Sequence, residues 1–408
     1  SGGGVIAMFA LLLWTAVQAV PLPCAWLKLV APLSTTEYLY TRKLLNLATG
    51  SVCTLSLSPG ATSIEVIKGA AMLSMFCSAW ILAATGNRRH VLQAAALSSI
   101  AMALTALAHA LFGMHRVFGV YTPLYATPRI LAPLMNENHL ASLMSLGAPL
   151  TLGCAMQHRG LAQRLLWLLG YLLLASVTFL TLSRGGMTSF ALGTLLVGLL
   201  IYLNRNSQGQ RRMALGMTGV ALALGTATAL YLSAEQLPKE WQQSKVNKLA
   251  VSARASTVAL EQPFIGIGRG AFSQAYVRYA PSGTRDEFPE NILVQLSSEW
   301  GIPVALILCL IIGSALVGVY KHSGNGIRSL LRLSAAVAAL TLILHNLVDF
   351  SLEMLGVSLV FSGVLGGALA PHSNSHPSTS RFSSVHMATW LQWSAIISSL
   401  ATLIAIAY

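Results

Sequence analysis

Three groups of residues in this chain have the types and spacing to do chemistry. The first is His345-Asn346-Leu347-Val348-Asp349-Phe350-Ser351-Leu352-Glu353. His345 and Asp349 are i and i+4, so a helix would present imidazole and carboxylate on one face. A carboxylate that accepts one ring N–H fixes the tautomer and raises the basicity of the ring, leaving the second nitrogen as a general base. The alternative is a histidine held by helix packing. A run of His, Asn and Asp at the end of an apolar stretch disfavours it, because polar groups at that depth need a use.

The second group is Ser183-Arg184-Gly185-Gly186, between two apolar stretches. A guanidinium placed there either snorkels to lipid headgroups or clamps an anion such as a phosphate, and the flanking glycines would let a ligand approach the backbone. The third comprises Arg254, Arg269, Arg278 and Arg285, in a stretch where arginine outnumbers lysine. Forked guanidinium contacts suit phosphate better than a point charge does. Each of these arginines taken alone is equally a solvated surface charge.

Two lesser sites follow. Asn136-Glu137-Asn138-His139 reads as a helix cap, a substrate contact or both. Glu290-Asn291 reads as a further carboxylate at the site or as charge near a helix dipole. Gly266-Ile267-Gly268-Arg269-Gly270 has the outline of a dinucleotide fingerprint, but no buried strand precedes it. His109 and His115 do not have metal-ligand spacing, and no Gly-x-Ser-x-Gly elbow occurs. The expected chemistry uses arginines and a histidine, with no metal and no cofactor.

The elements that position these groups are membrane spans. Only 9% of the residues are charged and 55% are hydrophobic, which excludes an ordinary soluble domain. Apolar runs occur at about 5–20, 69–86, 91–112, 138–156, 165–182, 187–203, 213–232, 304–320, 333–350, 354–370 and 387–408. Each suffices for a hydrocarbon layer ~30 Å thick at ~1.5 Å per helical residue. Their recurrence excludes a cleaved signal peptide as the explanation.

Connections bearing Arg88-Arg89, Arg159 with Arg164, Arg205 with Arg211-Arg212, Lys321 to Arg332, and Arg381 are basic and lack acids. The positive-inside rule makes them cytoplasmic, and all twelve acids then fall at the outer face or its helix ends. The net charge of +13 thus reflects topology and attraction to anionic lipid and phosphate, not nucleic acid.

The expected fold is an all-α polytopic membrane protein with about eleven or twelve transmembrane helices. Residues 1–232 form an N-terminal bundle, 233–303 an outer loop domain with surface helices, and 304–408 the C-terminal spans. Residues 21–68, punctuated by Pro21, Pro23, Pro32 and Pro59, are interfacial or re-entrant helices or conceal another span. Cys24 and Cys53 share that segment and could pair, whereas Cys77, Cys154 and Cys309 read as small buried hydrophobes. In the outer loop, Glu235 to Lys248 reads as a polar helix. Pro289 opens another, whose Ile292, Leu293 and Leu296 form a stripe suited to the membrane surface.

The order and sidedness of these parts resemble the O-antigen ligase and polymerase superfamily of bacterial surface-polysaccharide enzymes. The resemblance covers nearly the whole chain. It rests on the Ser183-Arg184-Gly185 turn, Pro263-Phe264-Ile265-Gly266-Ile267-Gly268 with Phe272 downstream, and the helix into Glu299-Trp300-Gly301. The ligase pattern of His, then Asn, nine residues and Gly is matched by His345-Asn346 and Gly356, with Leu359 departing at the last position.

The resemblance implies a GT-C-like glycosyltransferase of the inner membrane, active on the periplasmic face. Its donor would be an undecaprenyl-diphosphate-linked glycan and its acceptor the lipid A–core oligosaccharide, or in a polymerase a second lipid-linked glycan. His345, oriented by Asp349, would be the base. Arg184, with Arg254 or Arg269, would hold the diphosphate, and Asn346, Glu290, Asn291, His139 and Arg278 would be substrate contacts. A transporter would instead place ionisable groups along a midplane path, which this chain does not do.

Overall fold

The computed structural model describes residues 3–48, 50–114, 116–122, 133–204, 216, 219, 248–280, 286–324 and 327–371. The expected span at about 387–408 lies outside the described residues, as do all but residues 216 and 219 of that at about 213–232, Arg205, Arg211, Arg212, Arg285, Arg381 and nearly all of the Glu235–Lys248 helix. The described chain is almost wholly helical, and five of its helices are long and apolar enough to cross a membrane. It is an all-α polytopic membrane protein.

In chain order the elements are α1 (Gly3–Ala19), β1 (Leu22–Pro23), α2 (Cys24–Val30), α3 (Pro32–Leu44), β2 (Val52–Cys53), α4 (Pro59–Leu82) and α5 (Arg88–Leu111). After these come α6 (Glu137–Gln157), α7 (Leu161–Leu180), α8 (Arg184–Asn204), α9 (Lys248–Glu261) and α10 (Phe272–Tyr276). The last are α11 (Ile292–Trp300), α12 (Ile302–Lys321), α13 (Ile327–His345) and α14 (Leu355–Leu369). Packing groups them into two units that interleave along the chain. One takes in residues 75–204 and 315–371 of the described chain, the other 3–74 and 248–314.

In the first unit α6 is the central helix, with every residue from His139 to Met156 buried. Such all-round burial requires small residues where neighbours cross. A Cβ on Gly147 would stand 2.5 Å from Ser99 Cβ of α5, and one on Gly153 would stand 2.7 Å from Ser334 Oγ of α13. At the basic end, Arg88 Nε donates to Gly367 O at 3.0 Å and Arg332 Nε donates to Ala368 O at 2.8 Å. Two arginines thereby satisfy carbonyls that the end of α14 leaves without helical partners.

The second unit resolves the ambiguous segment 21–68. Helices α2 and α3 have 7 and 13 residues, too short to span, so no concealed transmembrane helix lies there. Cys24 and Cys53 form a disulfide beside the antiparallel pair of β1 and β2. Helix α4 begins about ten residues before its apolar run, because Glu65 and Lys68 pair at i,i+3 (2.5 Å) and keep the polar first turns helical.

Helix α11 starts at Ile292 and not at Pro289: Asn291 Oδ1 caps it by accepting from Leu293 N (2.9 Å) and Val294 N (3.2 Å). Its Ile292 and Leu296 are buried and the helix packs on α9 and α10, so much of the expected membrane-facing stripe is internal. Cys154 is buried as expected, whereas Cys309 is exposed on α12.

Candidate functional site

The site in the first unit is built where the turn after α13 meets the start of α8. Helix α13 stops at His345 itself. Asn346 ends it: its buried amide donates to Leu342 O (2.9 Å) and Ser351 Oγ (3.0 Å), and its Oδ1 accepts from Leu352 N (2.9 Å). These bonds fold residues 346–352 back, so Asp349 comes from a turn and not from the helix face that the spacing suggested. Asn346 is thereby committed to the fold and has little left for a substrate.

Asp349 Oδ2 stands 3.3 Å from His345 Nε2 and also accepts from Ser351 N at 3.1 Å. Both side chains of the pair are only 1% exposed, so the carboxylate acts on the ring with little screening by water. The other ring nitrogen, Nδ1, lies 3.1 Å from Ser189 Oγ of α8. Nε2 stands within ion-pair range of Asp349 without forming a hydrogen bond, and in the tautomer that carries the proton on Nε2 the serine hydroxyl donates to Nδ1. The nitrogen expected to be open thus carries a serine.

Arg184 opens α8, half-buried, one residue from this ring. The preceding turn is tight: Leu182 has φ +57°, a left-handed conformation that a leucine adopts only under strain. Ser183 Oγ donates to Asn138 Oδ1 (2.7 Å) and accepts from Gly186 N (3.1 Å). The two glycines serve helix packing, where a ligand-accessible backbone was expected. A Cβ on Gly185 would lie 3.2 Å from His345 Cε1, and one on Gly186 would collide with Ala141 of α6. Asn136 caps α6 by accepting from Asn138 N at 2.8 Å. His139 is buried with its ring edge-on to Phe350, centroids 4.8 Å apart.

The remaining sequence-derived residues belong to the second unit. Arg269 is buried, with its guanidinium bonded to Glu299 and 3.1 Å from Glu65 Oε2. Gln295 Nε2 donates to the other oxygen of Glu299 at 2.7 Å. Gln18 closes the knot: its amide donates to Glu299 O (2.9 Å) and Ile265 O (3.1 Å) and accepts from Arg269 N (3.0 Å). The fingerprint-like glycines fit the chain around this knot. Gly266 and Gly268 have φ of +72° and +97°, and a Cβ on either would strike Glu299 O or Ser56.

Arg278 pairs with Glu37, and Lys248 pairs with Glu290 at 2.6 Å. Asn291 is the cap of α11. Arg254 is exposed on α9. Burial and then Asp286 push the Tyr276 hydroxyl above its ordinary pKa, while the charge of Arg254 works against them.

Ser189, Gln18 and the carboxylates around Arg269 were absent from the sequence reading of the site. Ser189 had a signal: it is i+4 from Gly185, so one face of α8 carries both residues that meet the imidazole. The partners of Arg269 had none, because charge along a chain does not say which charges meet.

Comparison with curated proteins and with solved structures gives no match. A family model described as O-antigen ligase matches residues 169–309. That segment contains Arg184, Ser189, Arg254, Arg269, Glu290 and Glu299 and ends before His345. Over residues 169–309 the chain is similar to the O-antigen ligase family.

Proposed function

We propose that this chain transfers a glycan from an undecaprenyl-diphosphate-linked donor to the lipid A–core oligosaccharide, on the periplasmic face of the inner membrane. The similarity to the O-antigen ligase family supports glycosyl transfer of ligase or polymerase type between lipid-borne substrates. The observation that carries the finer reading is the buried His345–Asp349 pair, set one residue from Arg184 on the facing helix.

In this mechanism Nδ1 of His345 takes the proton of the acceptor hydroxyl, which displaces or passes its proton through Ser189. Asp349 holds the tautomer and stabilises the imidazolium that forms. The acceptor oxygen attacks the anomeric carbon directly, with inversion, and the lipid diphosphate leaves with the bonding pair. Arg184 neutralises the charge developing on that diphosphate, and a forked guanidinium suits it. In the second unit Arg254 is exposed, whereas two carboxylates already hold Arg269. The scheme is GT-C-like and uses no metal, so chelators leave activity intact.

The test is transfer by the purified chain with defined donor and acceptor. Glycan joined to lipid A–core supports ligation. Lengthening of the lipid-linked glycan alone replaces it with the polymerase reading. His345→Ala is expected to lower turnover by about 10²–10⁴-fold while donor affinity persists. Full turnover by the folded variant removes His345 from the mechanism.

A further inference from the structure

At the opposite end of the first unit a groove of about 440 Å3 runs between α5 and α7. Leu97, Ile100, Leu166, Leu169 and Leu173 make its walls, and Gly170 lies in its floor, where a Cβ would come within 2.6 Å of Ile100 Cδ1. Its mouth is polar and built. His158 Nδ1 bonds Gln163 Oε1 at 2.6 Å, and His158 Nε2 accepts from Arg89 at 2.9 Å and faces Gln93 Nε2 at 3.3 Å. These bonds tie Arg89 to His158 at the mouth. Arg164 donates to His158 O at 3.2 Å, and Arg159, the residue after His158, is exposed. No acid occurs among residues 83–93 or 157–167.

The geometry points to a binding site for one anionic phospholipid, its phosphate on Arg89 with Arg159 and Arg164 and one acyl chain in the groove. Two observations fix the occupant. From Gln163 to Leu173 the groove follows α7 for ten residues, about 15 Å, which is half of a ~30 Å hydrocarbon layer and hence one leaflet. Arg89 and Arg164 bond His158 at the mouth and no acid lies in these segments, so the mouth complements a headgroup with net negative charge better than a zwitterionic one. Trp167, whose ring lies tilted against His158 with centroids 6.4 Å apart, sits at the level where an indole marks the boundary between headgroup and chain. The site is separate from the transfer chemistry and does not depend on it.

The test uses the full chain in phosphatidylcholine nanodiscs doped with phosphatidylglycerol that carries a diazirine on its acyl chain. Labelled peptides are mapped by mass spectrometry. Labelling is expected to concentrate on residues 163–173, above the level on lipid-facing Leu306, Ile307 and Leu310 of α12. Arg89→Gln, at an exposed position, is expected to lower it about tenfold, the effect of one charge-assisted contact. Leu169→Trp, which fills the groove, is expected to abolish it, and a phosphatidylcholine probe is expected to show no concentration. Even labelling of all lipid-facing helices, equal labelling by the two probes, or indifference to Arg89→Gln each overturns the site.

Discussion

Ser189 bonds one nitrogen of the buried imidazole and Asp349 stands 3.3 Å from the other, so their removal should differ in kind. Asp349→Asn leaves an amide that no longer enforces the tautomer, and a defect smaller than that of His345→Ala is expected. Ser189→Ala removes one neutral hydrogen bond, worth about 1 kcal/mol, and should lower turnover about tenfold or less with donor affinity unchanged. Ser189→Thr should restore most of it. An unaltered rate for Ser189→Ala would show that the hydroxyl only fills space. Arg184→Lys should rescue Arg184→Ala poorly, since a point charge does not reproduce a fork. The His345–Asp349 pair was legible from spacing alone, although through a turn and not a helix. The serine was not, because its partner lies far away in the chain and only packing brings α8 to it.

Elements were legible wherever hydrophobicity is a local property. The apolar runs became helices, and misjudged starts, such as that of α4, occurred where ion pairs extend a helix past its apolar part. What sequence did not disclose is that the segment around Arg269 is held by an internal charge knot. Glu299 is completely buried, so Arg269→Ala would leave a buried carboxylate without its counter-ion, held only by neutral donors such as Gln295. A loss of about 3–5 kcal/mol of stability is expected, read as an early unfolding transition of the purified protein. A stable, folded Arg269→Ala that fails only in donor binding would return Arg269 to the diphosphate. Cys24→Ser should cost about 2–5 kcal/mol in the same assay.

For the whole molecule, sidedness is the property on which the mechanism rests. With Ser207→Cys and Glu287→Cys as reporters, an impermeant thiol reagent should label position 207 only from the cytoplasm and position 287 only from outside. Reversed labelling would sink the transfer scheme, since lipid-linked donor and base would then face different compartments.

The knot around Gln18 also bears on how the protein is made. The groups that satisfy the Gln18 amide, at Ile265 and Glu299, follow it by 247 and 281 residues. At about 5–20 residues per second, Gln18 waits roughly 12–60 s for them. Biogenesis therefore passes through an intermediate in which α1 is made and its amide is unmatched, and factors that shelter polar groups on nascent helices have a defined client surface in that interval.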